Sequence, residues 1–200
     1  MSDQPRRPAV ASPMLVALRD GTRRQHAAVE RRLGLPDRIR TRDDLAAVLI
    51  ALLDAWAPLE RDLAAADWSA LPLDPRLGEA AALLRADLAT LGGDPDRPVA
   101  SSGLGLAPVA RAVGGRYVLL GSALGGRVIA PEVERRLGLR AGEGTGFFRR
   151  AGGEPGRDWR AFRLAVAGRE WSAGETADAV DAARSTFDLV GCVAVGGPAG

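Results

Sequence analysis

Tyr117-Val-Leu-Leu-Gly-Ser-Ala-Leu-Gly-Gly-Arg-Val-Ile129 has the spacing of a helix but carries three glycines, at 121, 125 and 126. It lies inside a longer pattern, predicted helical from Ala107 to about Leu137, that also contains Gly114, Gly115 and Pro131. Each glycine costs a helix about 0.5–1 kcal/mol relative to alanine, so this many in one element need a reason. Gly121 and Gly125 stand one turn apart with Gly126 beside them, which strips side chains from one helix face over more than a turn. One reason is close helix–helix packing of the small-xxx-small type. The other is a flat object approaching the backbone.

Working outward, the only histidine of the chain, His26, falls in the stripe Leu15, Leu18, Thr22, His26, Val29 and Leu33. That spacing predicts a first helix, begun by Ser12-Pro13 and ended by Gly34 and Pro36, with His26 on its interior side. Glu30 follows one turn later, where its carboxylate can orient the imidazole through the Nδ1 hydrogen and leave Nε2 free for a metal. The same pair is also what a partly buried histidine held by an i,i+4 acid looks like. A macrocycle clasped between an inward histidine and a glycine-lined helix would account for both features at once, and the macrocycle expected is haem. Its propionates need cations: Arg19 lies two turns before His26, and Arg116 and Arg160 or Arg163 are further candidates.

The rest of the chain reads as helices. Thr41-Arg42-Asp43-Asp44 opens one that runs to about Ala66, with Pro58 expected to bend it. Others are predicted at Asp74–Leu91, with Leu77 on its apolar face, at Trp159–Trp171, and from Ala173 to Val190 behind a Ser172 cap; residues 92–105 read as a loop. The expected organisation is a flexible tail over 1–12, one helical domain over 13–192 and a second tail over 193–200. Composition agrees with an all-α, single-domain, multi-helical fold: of 200 residues 46% are hydrophobic, only 4% are aromatic, and Ala, Leu and Arg dominate.

Composition also excludes functions. One cysteine, Cys192, allows no intramolecular disulfide and no thiolate cluster, which suits a reducing cytoplasm. The 27 basic residues are all arginine, the net charge is +2, and the two signs are interspersed, so no nucleic-acid footprint is expected. The uncharged apolar run from Tyr117 to Gly126 is about half of what a bilayer-spanning helix requires. No secretory leader and no membrane anchor are expected. A di-iron centre needs several histidines in paired helix motifs, and one histidine cannot supply them. A thiaminase-like nucleophile would have to be Cys192, close to the C-terminus.

The strings Leu18-Arg-Asp-Gly-Thr-Arg-Arg-Gln-His26-Ala-Ala-Val-Glu30 and Tyr117 to Ile129, with Ala183-Arg-Ser-Thr-Phe187, resemble the proximal, distal and last-helix motifs of the biliverdin-producing haem oxygenases. Similarity is greatest to the soluble bacterial branch, including members associated with bacteriophytochromes. The resemblance implies haem as cofactor and substrate, His26 as iron ligand, and Glu30 as its partner. It also implies Thr22, Tyr117 and Phe187 as haem contacts, and Gly121, Ser122, Gly125 and Gly126 on the catalytic distal helix. Ring opening to biliverdin, carbon monoxide and ferrous iron would use dioxygen and electrons from a ferredoxin or reductase. Two positions depart from the pattern. Ser122 stands where animal members carry a carboxylate, as in other bacterial members, and Leu120 stands where bacterial members often carry Glu. A non-catalytic haem-binding or regulatory protein on the same fold is the alternative.

Overall fold

A computed structural model describes residues 12–74, 79–150 and 153–193. The element order is α1 (Pro13–Leu33), α2 (Arg42–Ala64), α3 (Ala80–Thr90), α4 (Val109–Leu137), α5 (Gly146–Arg149), α6 (Pro155–Ala167) and α7 (Ala173–Val193). Among the described residues there is no strand, so the all-α expectation holds. The predicted tails fall at 1–11 and 194–200, outside the described residues, as does Leu77; Val193 still belongs to α7.

Local chemistry explains where the helices start. Thr41 accepts the Asp44 amide while Asp44 accepts the Thr41 amide, a reciprocal box that opens α2. Ser172 and Glu175 make the same exchange at the head of α7. Two buried carboxylates do this work at a distance. Both oxygens of Glu60 on α2 accept the amides of Ala80 and Ala81, 2.7 and 2.8 Å away, which starts α3 later than the predicted Asp74. Asp87 on α3 accepts the amides of Gly146 and Phe147 at 2.9 and 2.8 Å and so creates the short α5, which no periodicity announced. Pro155 at the first turn starts α6 four residues before the predicted Trp159, and Gly168 ends it before Trp171. Pro58 lies inside a continuous α2.

Leu45, Leu49, Leu52, Leu53, Trp56, Leu59 and Leu63 give α2 the largest share of the core, and they pack with Leu84, Leu88, Phe147, Phe162 and the alanines of α7. Helix α7 is the strut that α1 and α4 share. Both α1 and α4 lie against it, and they scarcely touch each other. Small residues allow the approach: a Cβ on Gly114 of α4 would stand 2.1 Å from the Ala179 carbonyl oxygen of α7, and one on Gly21 of α1 would stand 2.6 Å from Val180.

Candidate functional site

Helices α1 and α4 run in the same sense and meet near two points. At one, the Tyr117 phenol lies beside Thr22, whose own hydroxyl donates to the Leu18 carbonyl at 2.7 Å. Burial raises the Tyr117 phenol above its ordinary range, so it stays protonated. At the other, Arg136 near the end of α4 donates to the carbonyls of Pro36 and Ile39, just beyond α1, at 3.1 and 3.2 Å. His26 is one turn beyond Thr22, and Gly121 is one turn beyond Tyr117. His26 and Gly121 are both exposed.

The glycines divide by what surrounds them. A Cβ added at Gly121 or at Gly125 would meet nothing within 4 Å. A Cβ on Gly126 would stand 2.4 Å from the Phe148 carbonyl oxygen of α5. Gly126 therefore serves close packing and does not line the open face, which corrects the expectation that all three clear one surface. The helical angle is the reason, because position 126 is turned about 140° from position 121. Leu124 and Val128 are the residues that share the open side with Gly121 and Gly125; they are exposed, Val128 at 75%, a continuous apolar strip that a soluble surface rarely leaves bare.

His26 is not interior. Its side chain is 58% exposed, because it lies roughly 75° from the centre of the stripe formed by Met14, Leu18, Thr22 and Val29. Its ring meets Phe187 of α7 edge-on, with centroids 5.5 Å apart. Glu30 is beside it as expected, but it is Nε2 that lies 3.6 Å from Oε1, too far for a hydrogen bond. The nitrogen turned to Glu30 is thus the opposite of the expected one, and a half-turn of the ring exchanges them.

Arg19 is exposed next to Tyr117, with Nε 3.1 Å from Asp20. Arg23, which sequence inspection passed over, reaches the same carboxylate at 3.1 Å; its place one turn from Arg19 was the available signal. The Asp20 carboxyl is held below its usual range chiefly by its hydrogen bond to Arg19. Arg116 does not stand at the mouth. It is buried with its guanidinium 5.1 Å from the Trp68 ring centre, near Asp74 and Asp158, because its position is turned about 140° away from Gly121. Burial lowers its pKa. Arg160 and Arg163 are exposed on α6. Ser122 donates to the Leu119 carbonyl at 2.7 Å. Leu120 is buried on the far side of α4 with Trp56 and Glu60, so its departure from the bacterial pattern does not bear on the open face. No group of three or more potential metal ligands exists among the described residues, and no described helix is long and apolar enough to cross a membrane.

No protein-family model and no curated protein sequence matches the chain. Solved structures do match. The haem oxygenase of Neisseria meningitidis, known in NO- and CO-bound forms, superposes with a TM-score of 0.74 at 18% identity, over 92% of this chain and 91% of that one. The haem oxygenase of Leptospira interrogans superposes with a TM-score of 0.73 at 19% identity, over 91% and 98%. This chain has the haem oxygenase fold.

Proposed function

We propose that the chain is a haem oxygenase, converting haem with dioxygen and reducing equivalents to biliverdin, carbon monoxide and ferrous iron. The observation that carries this proposal is the combination, on a haem oxygenase fold, of a solvent-accessible imidazole on α1 with an α4 whose Gly121 and Gly125 leave open space. Leu124 and Val128 extend that helix face with apolar surface that a porphyrin would remove from water. Haem, as substrate, supplies the iron at which dioxygen is reduced.

The protein's contributions follow from its own atoms. His26 would supply the imidazole nitrogen that holds the iron, and a neutral imidazole suits oxygenation of the ring better than a thiolate that drives O–O cleavage. Glu30 takes the second ring hydrogen once the imidazole has turned over, fixing its tautomer. Phe187 limits the tilt of the imidazole by its edge contact. Gly121 and Gly125 would let a flat group approach the α4 backbone, because a Cβ at either position meets nothing within 4 Å. The Ser122 hydroxyl uses its hydrogen on Leu119 and keeps its lone pairs for a water relay. Arg19 and, with lesser reach, Arg160 are the cations for the propionates, whereas buried Arg116 supports the scaffold. Electrons come from an external ferredoxin or reductase, in a cytoplasmic setting and in a role that includes supply of biliverdin to a bacteriophytochrome.

Hemin titration followed by aerobic reduction tests the proposal. Binding of one equivalent, bleaching of the Soret band on addition of ascorbate or a ferredoxin system, and chromatographic recovery of biliverdin are expected, with His26→Ala losing nearly all turnover. A Soret band that persists through reduction and oxygenation identifies a carrier on the same fold, and unchanged ring opening by His26→Ala without added imidazole refutes the ligand assignment.

A further inference from the structure

Behind α4, on the side opposite Gly121 and Gly125, lies a second cavity. Its volume is about 30 Å³. Leu119, Leu120 and Ala123 of α4, Trp56 of α2 and Arg150 are among the residues that line it. Arg150 is unusual in two respects. It ends α5 in a left-handed conformation, φ 50°, which a non-glycine residue adopts at a cost and which aims the side chain inward. It is also only 9% exposed, and among the described residues its guanidinium makes no hydrogen bond; it rests 4.2 Å from the Phe147 ring centre.

A guanidinium carries five N–H donors, and burying them without acceptors is expensive. The nearest opposite charge, Glu60, makes no hydrogen bond to it; its oxygens accept the amides of Ala80 and Ala81, and its charge acts on Arg150 only through space. Burial pushes Arg150 down to about 10, so it remains charged at neutral pH. The cavity therefore presents a largely buried cation, with donors that no described residue accepts, in an otherwise largely apolar chamber. Asp158 and Glu60 lie at the other parts of the lining, the first exposed to water and the second committed to the head of α3.

We infer that this cavity binds a small planar monovalent oxyanion, of the size of formate or acetate, with both of its oxygens on the Arg150 guanidinium. The planar fork matches two parallel N–H···O bonds, the arrangement in which arginine selects carboxylates over spherical ions. Trp56 and the α4 residues leave space for an ion of a few heavy atoms and exclude bulky ones. The site does not require haem, and nothing in the haem reaction predicts it.

The test is an NMR titration of the ¹⁵N-labelled full chain without hemin, in which sodium gluconate is replaced stepwise by sodium formate at constant ionic strength. The Arg150 Nε–Hε signal is assigned by its loss in Arg150→Lys. A saturable shift of that signal is expected, with no saturable shift for the exposed Arg140, and with at least a tenfold weaker midpoint in Ala123→Leu, which fills the chamber and keeps Arg150. Ala123→Val, a smaller obstruction, is expected to weaken the midpoint several-fold and serves if the leucine variant does not fold. An Arg150 signal that does not saturate, or titration curves unaltered by filling the chamber, overturns the inference.

Discussion

Adjacent glycines on α4 make opposing predictions. Gly125→Ala adds a methyl group that meets nothing within 4 Å, so the haem-free protein gains helix propensity, about 0.5–1 kcal/mol. Gly126→Ala places the same methyl 2.4 Å from the Phe148 carbonyl oxygen, and neither backbone can yield without separating α4 from α5. Forced overpacking of this kind costs about 1–3 kcal/mol, which outweighs the propensity gain. For a domain of this size 1 kcal/mol moves Tm by about 2–4 °C. Gly125→Ala is therefore expected to melt about 1–4 °C higher than the parent by calorimetry, and Gly126→Ala several degrees lower. Hemin affinity should show the inverse order, with Gly125→Ala weakened through its contact with the ring and Gly126→Ala altered only through its fold. If Gly125→Ala destabilised the haem-free chain as much as Gly126→Ala, the cleft would not be open at Gly125 and the placement of haem there would be wrong.

Three further outcomes are expected. Asp87→Ala leaves the buried amides of Gly146 and Phe147 without acceptors, a loss of about 2–4 kcal/mol readable by urea denaturation. Glu134, whose carboxyl is held at about 2 chiefly by its hydrogen bond to Arg149, contributes stability that is present above the ordinary carboxyl range and is lost as pH falls from about 4.5 towards 2. Glu134→Gln should thus be less stable than the parent at pH 7, by about 1–3 kcal/mol, and the two should converge near pH 2; parallel curves would show that Glu134 does not titrate as described. Glu30→Gln should bind hemin with little loss of affinity and shift the iron–histidine stretching frequency, and an unchanged frequency would remove Glu30 from the imidazole's partners.

Much of the fold was legible because helical periodicity and caps are local. Ser12-Pro13, the Thr41–Asp44 box and Ser172 each set a helix start that the structure keeps. What escaped was non-local. The start of α3 and the existence of α5 depend on Glu60 and Asp87, which are 20 and 59 residues away from the amides they hold. Within the site, the sequence separates glycines only by spacing, and spacing cannot say whether a neighbour's carbonyl stands behind Gly126 or water in front of Gly125. His26 on the edge of its stripe was similarly ambiguous, since one apolar column is compatible with a core side and a cleft side. Arg116 was misplaced for a simpler reason: proximity along the chain to the glycine segment was taken as proximity around the helix.

The contacts of α4 divide it into a beam with two supports. Gly114 fixes it to α7 and Gly126 fixes it to α5, twelve residues apart, or about 18 Å along the axis. That span approaches the breadth of a porphyrin, and on its open side nothing braces it. A beam clamped at its ends and unloaded on one flank bends most at mid-span, which here is Leu120, the neighbour of Gly121. Stiffness can therefore be tuned from the clamps, leaving every atom of the exposed flank in place.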